Sequence, residues 1–384
     1  MRKICVITGG RADYGLLSVL LREIRKSQNF KLQLIATGSH FSRKFGLTYR
    51  EILKDGFKID AKVDMKTNSD SAEGLGASMA IGLKGIARAL VKLRPDILIL
   101  LGDRYETMCA AAAGVISGIP IAHIHGGELT EGAYDDAFRH AITKMSQIHF
   151  VSTAVYEKRV IQMGEQPSRV FRVGALGVDN VLATPRVSRR ELEKLLHFRF
   201  QPRNLLVTFH PATLEPAEVK RQALALLQSL QTLPKTGLIF TMPGADKASA
   251  VIWRQIRAFV KRRPHSKAFR ALGSQIYLSC MREADGVVGN SSSGLLEAPV
   301  LKKPVVNIGN RQLGRLAPAN VVSCPATPAG IRRALRKILS KKFKRRCAAV
   351  KTPFGSGGTA RRMVARLRRL PCPLSCKKQF LDLL

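Results

Sequence analysis

Two apolar runs in the first half of the chain end in groups able to move protons. The run at 97–101 lands on Gly102-Asp103-Arg104-Tyr105-Glu106, and the run at 119–124 ends in His123-Ile124-His125-Gly126-Gly127-Glu128. Asp135, Asp136, Arg139 and His140 then open a helical stretch. Carboxylates whose surroundings differ can divide the work of base and acid, and arginine suits a departing or bound anion. Parallel strands of an open sheet deliver their carboxyl ends to one rim, where ligands bind. The spacing therefore predicts that Asp103, Arg104, His125, Glu128, Asp136 and Arg139 share such a rim. Simpler roles compete: Asp103 pairing with Arg104, Asp136 capping its helix, and the two histidines buried at a strand end.

The elements that must position these groups alternate between strand and helix. A strand at 3–8 feeds the loop Gly9-Gly10-Arg11-Ala12-Asp13-Tyr14-Gly15 and a helix at 16–25. Residues 10 and 15 have the glycine spacing of a P-loop, but Leu16-Leu17 stand where Lys-Ser/Thr is required, and no G-x-G-x-x-G is present. A glycine turn before a helix still suits an anion, with Arg11 as a fixed cation. A strand at 31–37 precedes an amphipathic helix at 41–53, and 71–93 reads as a glycine-bearing loop feeding a helix. The charged segment 188–200 reads as the crossing into a second domain.

The second half repeats the alternation. Strands at 205–209 and 238–242 end in His210-Pro211 and in a loop over 243–246. A short strand at 286–288 runs into Gly289-Asn290-Ser291-Ser292-Ser293-Gly294, with a helix expected at 295–301. The strand at 305–308 precedes Gly309-Asn310-Arg311-Gln312-Leu313-Gly314-Arg315. Backbone amides and three hydroxyls, Ser291, Ser292 and Ser293, suit phosphate. Glu297 matches a ribose cis-diol or, more simply, the helix dipole, and Arg311 and Arg315 could face the same diphosphate. The expected fold is α/β: two Rossmann-like domains facing each other across a cleft. Their expected bounds are 1–177 and 178–360, followed by a basic helix or tail at 361–384.

Composition narrows the function classes. The chain has 384 residues, enough for two cores. No unbroken apolar run reaches the roughly 18–20 residues of a membrane span, and the start lacks the apolar core of a signal peptide, so a cytoplasmic protein is expected. Seven scattered cysteines make no disulfide framework, and Cys372 and Cys376 have no second pair with which to hold a metal. The formal charge of +37 is concentrated late, with no acidic residue between Glu297 and Asp382. Such a field attracts polyanions. Few aromatics stand among the basic residues and no nucleic-acid motif is present, so these residues are read as solvated helix faces, and nucleic acid is not expected as a partner.

Taken together, the motifs at 9–15, 101–106, 123–128, 135–144, 289–294 and 307–315, with Phe354-Gly355-Ser356-Gly357-Gly358, resemble those of hydrolysing UDP-N-acetylglucosamine 2-epimerases of the bacterial sialic-acid or legionaminic-acid type. The resemblance covers about the first 360 residues and implies a GT-B-like fold, two Rossmann-like domains facing each other across a nucleotide-sugar cleft, with no metal or other cofactor. It implies that Arg11 and the three serines contact the nucleotide, that Glu297 holds the ribose, and that Asp103, Asp136 and His210 are catalytic. Non-hydrolysing relatives carry H-x-E where this chain has His123-Ile124-His125, and Glu128 is the candidate to replace that glutamate. The implied partners are a UDP-linked 2-acetamido sugar and further copies of the chain, as a dimer or tetramer.

The implied reaction begins with loss of UDP from C1, which makes the C2 proton removable. The resulting glycal then adds water with the opposite C2 configuration, releasing N-acetylmannosamine from UDP-N-acetylglucosamine. Asp103 and Glu128 are the first candidates for base and acid, and Asp136 the third. A UDP-N,N'-diacetylbacillosamine or a GDP-linked sugar would leave the same motifs intact. A GT-B glycosyltransferase is the rival on the same fold, separable by incubation without an acceptor.

Overall fold

In a computed structural model of the chain, the structure describes residues 1–67, 71–131, 134–211, 216–243 and 249–382. Part of the loop expected at 243–246 lies outside them. The described chain divides into two compact units, Met1–Glu128 with Asp135–Asn180 and Phe354–Leu384, and Leu129–Tyr134 with Val181–Pro353.

The first unit alternates strand and helix: β1 (Arg2–Thr8), α1 (Arg11–Lys26), β2 (Phe30–Thr37), α2 (Tyr49–Lys54), β3 (Ala61–Val63), α3 (Ala72–Leu93) and β4 (Ile97–Leu101). It continues with α4 (Tyr105–Ile116), β5 (Ile121–Ile124), α5 (Asp135–Met145), β6 (Ile148–Val151), α6 (Ala154–Gln162), β7 (Val170–Arg172) and α7 (Leu176–Ala183). The seven strands pair in the order β3-β2-β1-β4-β5-β6-β7, every pair parallel. Helices cover both faces of such a sheet, so its central strands read as unbroken apolar runs. All five residues of β4 are buried accordingly.

The second unit comprises α8 (Arg189–Leu196), β8 (Arg203–Thr208), α9 (Val219–Gln231), β9 (Thr236–Thr241), α10 (Ser249–Arg262), β10 (Ser266–Phe269) and α11 (Gly273–Glu283). It is completed by β11 (Gly286–Gly289), α12 (Ser293–Leu296), β12 (Val305–Ile308), β13 (Val321–Cys324), α13 (Pro328–Leu339) and α14 (Lys341–Ala348). Its strands pair in parallel in the order β10-β9-β8-β11-β12-β13. In both sheets the chain winds outward from the first strand and then returns to start on its other side. Each therefore has a switch point, between β1 and β4 and between β8 and β11, the place where open α/β sheets bind ligands.

Several elements differ from the sequence expectation. Helix α1 starts at Arg11, so only Gly9 and Gly10 of the expected loop lie outside it. The glycine-rich stretch after Ser71 is helix throughout, capped by the Ser71 hydroxyl accepting from the Gly74 amide at 3.0 Å. A Cβ at Gly85 would lie 2.6 Å from Val63, so that glycine permits close packing on β3 and marks no loop. Among the described residues α3 is the one helix long and apolar enough by length and composition to cross a membrane. Its Ile86, Ala89 and Leu90 instead join the core of the first unit. The expected helix at 41–53 shortens to α2, preceded by two 3₁₀ turns.

The C-terminal residues do not stand apart as a tail. Helix α15 (Thr359–Arg369) buries Met363, Val364 and Leu367 in the core that holds Ile4 and Leu20. Asp179 caps it through the amides of Thr359 and Ala360 (3.0 and 2.8 Å), and Arg2 Nη1 donates to the Leu367 carbonyl at 2.7 Å. Beyond it, Lys378 Nζ donates to the carbonyls of Lys144 and Ser146, each at 2.7 Å, at the end of α5. The same ammonium meets the buried Glu165 carboxylate, which also accepts from His149 and Lys144. Burial alone would raise Glu165, but those three donors outweigh it and hold its pKa at about 2.

Glu165 therefore contributes stability above its ordinary 4.5, lost as pH falls toward about 2. Lys378→Ala should cost about 1.5–3 kcal/mol at pH 7, the worth of a charged hydrogen bond, or roughly 3–10 °C in Tm. Thermal unfolding at pH 7 and pH 3 checks this: the difference from wild type should shrink at the lower pH, and an equal difference at both would assign the loss to packing.

Candidate active site

At the switch point of the first unit the dominant contact is between Asp103, just past β4, and Arg139 on α5, which form an ion pair. Arg139 is buried, and its Nη1 donates to the His125 carbonyl at 2.9 Å. Burial by itself would lower the guanidinium's pKa, yet Asp103 and then Glu128 and Asp136 raise it, so the cation is held. A buried charge is tolerated only when paired, and Asp103 supplies the pairing. His125, in the left-handed region at φ 68°, turns its Nδ1 to 3.6 Å from Glu128 Oε1. Ser152 Oγ donates to the same oxygen at 3.4 Å. Asp103, Arg139, His125 and Glu128 thus form one unbroken chain of contacts. Asp136 stands on the first turn of α5, 3.4 Å from His140 Nε2.

Arg104 Nε donates to Glu106 Oε2 at 3.2 Å, while Asp103 takes Arg139. His123 bridges the Gly102 carbonyl (2.8 Å) and Thr143 Oγ1 (3.1 Å), and burial drives its pKa down to about 3, so it is a neutral strut. Arg11 opens α1 across the switch point, next to Gly9 and Gly10. Two carboxyls that the sequence did not single out also belong here, Asp13 on the first turn of α1 and the buried Glu106 on α4. Burial, then Glu106 and Asp103, push Asp13 up to about 7 against the pull of Arg104.

The second unit's switch point is tied by Asn290. Its Oδ1 accepts from the His210 amide at 2.6 Å and its Nδ2 donates to the His210 carbonyl at 2.8 Å, joining the ends of β8 and β11. Its own carbonyl accepts from Arg311 Nη1 (3.2 Å) and Gln312 Nε2 (2.9 Å). The structure therefore brings His210 and Arg311 together through a residue that the sequence marked only as part of a motif. Ser293 Oγ lies 2.8 Å from the Tyr277 hydroxyl, whose pKa burial and the nearby Glu297 raise. Ser291 Oγ accepts weakly from the Ser293 amide, and Ser292 directly precedes the four-residue helix α12, much shorter than the expected 295–301. Arg315 donates to the Leu129 carbonyl (3.1 Å) and Thr130 Oγ1 (3.2 Å), so it holds the segment that follows Glu128.

Gly289 shows how tightly this strand end is drawn. Its φ is +141°, and an added Cβ would fall 1.8 Å from the Thr208 carbonyl oxygen.

Two parallel sheets with this strand order and polar groups at both switch points define a pair of Rossmann-like domains. The chain belongs to the UDP-N-acetylglucosamine 2-epimerase family, whose model matches residues 22–368. It is 40% identical over 344 residues, 89% of each chain, to the GDP/UDP-N,N'-diacetylbacillosamine 2-epimerase (hydrolyzing) of Campylobacter jejuni. It is 38% identical over 347 residues, 89% of this chain and 88% of the relative, to the polysialic acid biosynthesis protein P7 of Escherichia coli. Its fold matches the crystal structure of the UDP-GlcNAc 2-epimerase from Neisseria meningitidis bound to UDP-GlcNAc, with a TM-score of 0.83 and 17% identity over 96% of this chain and all of that one.

Gly289→Ala should cost about 2–6 kcal/mol from overlap and strained backbone. Gly15→Ala, inside α1 with nothing within 4 Å of the new methyl, should be neutral or stabilising by up to about 1 kcal/mol. Denaturant unfolding of both variants checks the contrast; a stable Gly289→Ala protein would contradict the close approach.

Proposed function

We propose that the chain is a hydrolysing 2-epimerase that converts a UDP-linked 2-acetamido sugar, UDP-N-acetylglucosamine in the first instance, to the free 2-epimer and UDP. The observation that carries this reading is the buried Arg139 paired with Asp103 at a strand end, in one chain of contacts with His125 and Glu128. A base for a weakly acidic C2–H must be ionised and held in place. Asp103 takes the C2 proton as the C1–O bond breaks and UDP leaves with its oxygen, giving the glycal. Glu128 takes the proton of the water that adds at C1, and Asp136 with His140 passes protons to solvent. In the second unit His210, the serines at 291–293 and Arg311 hold the diphosphate and Glu297 the ribose; in the first unit Arg11 offers an anion a fixed cation at the start of α1. Arg315 acts through the 129–130 backbone, and Arg104 through Glu106.

A second reading has the same chemistry acting on a UDP- or GDP-linked 2,4-diacetamido sugar. It is supported by the name of the Campylobacter jejuni relative at 40% identity. Under either reading the product feeds sialic-acid-type sugars for surface polysaccharide, and the enzyme is a cytoplasmic homo-oligomer. Exposed apolar side chains support self-association: Val91 on α3 is 64% exposed and Ile116 on α4 is 73% exposed. Light scattering that returned a monomer would remove this part.

Incubating the protein with a panel of nucleotide sugars in D₂O, with no acceptor present, and reading the products by proton NMR tests the function and names the substrate. The expected product carries one deuterium at C2 with inverted configuration. A retained C2 proton would rule out the elimination route, and a requirement for acceptor would indicate a glycosyltransferase. Asp103→Asn should lower kcat and kcat/KM together by about 10²–10⁴, as for a group acting in the transition state. A loss below about tenfold in a folded variant would remove Asp103 from the catalytic set.

A further inference from the structure

The second unit contains a line of hydroxyls of which the proposed reaction uses only the last. Thr208 ends β8 and Thr241 ends β9; the two are partners in register, and their Oγ1 atoms lie 2.5 Å apart. Tyr277 on α11 reaches the same place. Its hydroxyl is hydrogen-bonded to Thr208 and lies 2.8 Å from Ser293 Oγ, at the start of α12. Its ring packs against the core that holds Ile239, Met281 and Val287, which fixes where the phenol points. Hydroxyls from two strands and two helices thus form one chain, Thr241–Thr208–Tyr277–Ser293, beside the close approach of Gly289 to Thr208.

A hydroxyl has one hydrogen to give, so such a chain must point one way. Thr208 and Thr241 are buried, and the half-buried Ser293 is the end open to a ligand. Were Ser293 to donate to Tyr277, the hydrogens would run inward as far as Thr241. Thr241 Oγ1 has no partner but Thr208 among the described residues, so its hydrogen would be buried without an acceptor, a costly arrangement. Run the other way, Thr241 donates to Thr208, Thr208 to Tyr277 and Tyr277 to Ser293. The hydrogen left over is then the one on Ser293, at the open end. Burial and the charge of Glu297 raise the Tyr277 pKa above its ordinary 10, so the phenol keeps the hydrogen it donates.

We infer that Tyr277 is a positioning residue for the diphosphate: by donating to Ser293 Oγ it turns that hydroxyl outward to donate to a phosphate oxygen. This deepens the epimerase reading above and rests on it. Without the phenol hydrogen, the Ser293 hydroxyl turns among orientations that present lone pairs to the anion; with it, the donor is set before the ligand arrives.

Calorimetric titration with UDP and with uridine tests this, because uridine keeps the base and the ribose and lacks the phosphates. Tyr277→Phe removes one oxygen and leaves the ring in its packing. It should weaken UDP by roughly 3- to 10-fold, the worth of one hydrogen bond, with uridine unchanged. In a Ser293→Ala background the same substitution should cost UDP nothing further, since Tyr277 acts through Ser293. Thr208→Val withdraws the hydrogen given to Tyr277 and spares the ring, and should weaken UDP in the same direction. Equal losses for UDP and uridine would mark a loss of packing, and independent losses from Tyr277→Phe and Ser293→Ala would mark two separate contacts. Either would overturn the proposal, as would wild-type affinity for UDP in Tyr277→Phe. A wild-type protein that bound UDP no better than uridine would overturn the diphosphate site, and with it the reading beneath.

Discussion

The ion pair between Arg139 and Asp103 is the contact on which the first unit's rim depends. A guanidinium taken out of water costs several kcal/mol unless a carboxylate meets it, so α5 docks on the sheet with its buried arginine paired to Asp103. The same side chain donates to the His125 carbonyl, and so fixes the turn that aims His125 at Glu128. One buried cation thus pairs with one carboxylate and, through the His125 turn, helps to place another. Across the switch point Asp13 has two carboxylates nearby, Glu106 and Asp103, and burial with those charges pushes its pKa up to about 7 against the pull of Arg104. Carboxyls of one residue type thus sit in different surroundings through packing.

The second unit reaches its arrangement by backbone approach. Gly289 lets β11 run against Thr208 where no other residue fits, and this brings Asn290 level with His210. A buried amide that satisfies both main-chain groups of His210 makes the strand ends rigid. Arg311 and Gln312 then close on the Asn290 carbonyl. A loop fixed by paired backbone groups can present hydroxyls and a cation to a diphosphate without reorganising.

The excess of positive charge takes on a more local meaning once the chain is folded. Part of it is structural: Lys378 closes the end of α5 and balances Glu165, and Arg2 satisfies the last carbonyls of α15. The last basic helix is a layer of the first unit, with its apolar stripe in the core and its arginines outward.

Periodicity and strand-end chemistry in the sequence were enough for the α/β alternation, the two domains and most of the polar positions at the rims. An apolar run followed by glycine and a carboxylate has few other uses in a parallel sheet. The motifs at 101–106 and 123–128 could be read this way because strand and functional group are adjacent in the chain. What the sequence left open were the pairings. Arg104, next to Asp103, pairs with Glu106, while Arg139, far along the chain, takes Asp103. The glycines of α3 read as loop because their packing partners, Val63 at the end of β3 and Met65 just after it, lie outside the helix. The extent of the first unit, which reclaims 354–384 from the far end, was likewise decided by packing on α1. The surroundings of Asp13 and Glu106 carry no local mark in the sequence either. A carboxyl's proton affinity is set by burial and by which charges surround it, and those neighbours are brought together by the sheet's strand order, a property of the folded chain that no stretch of its sequence contains.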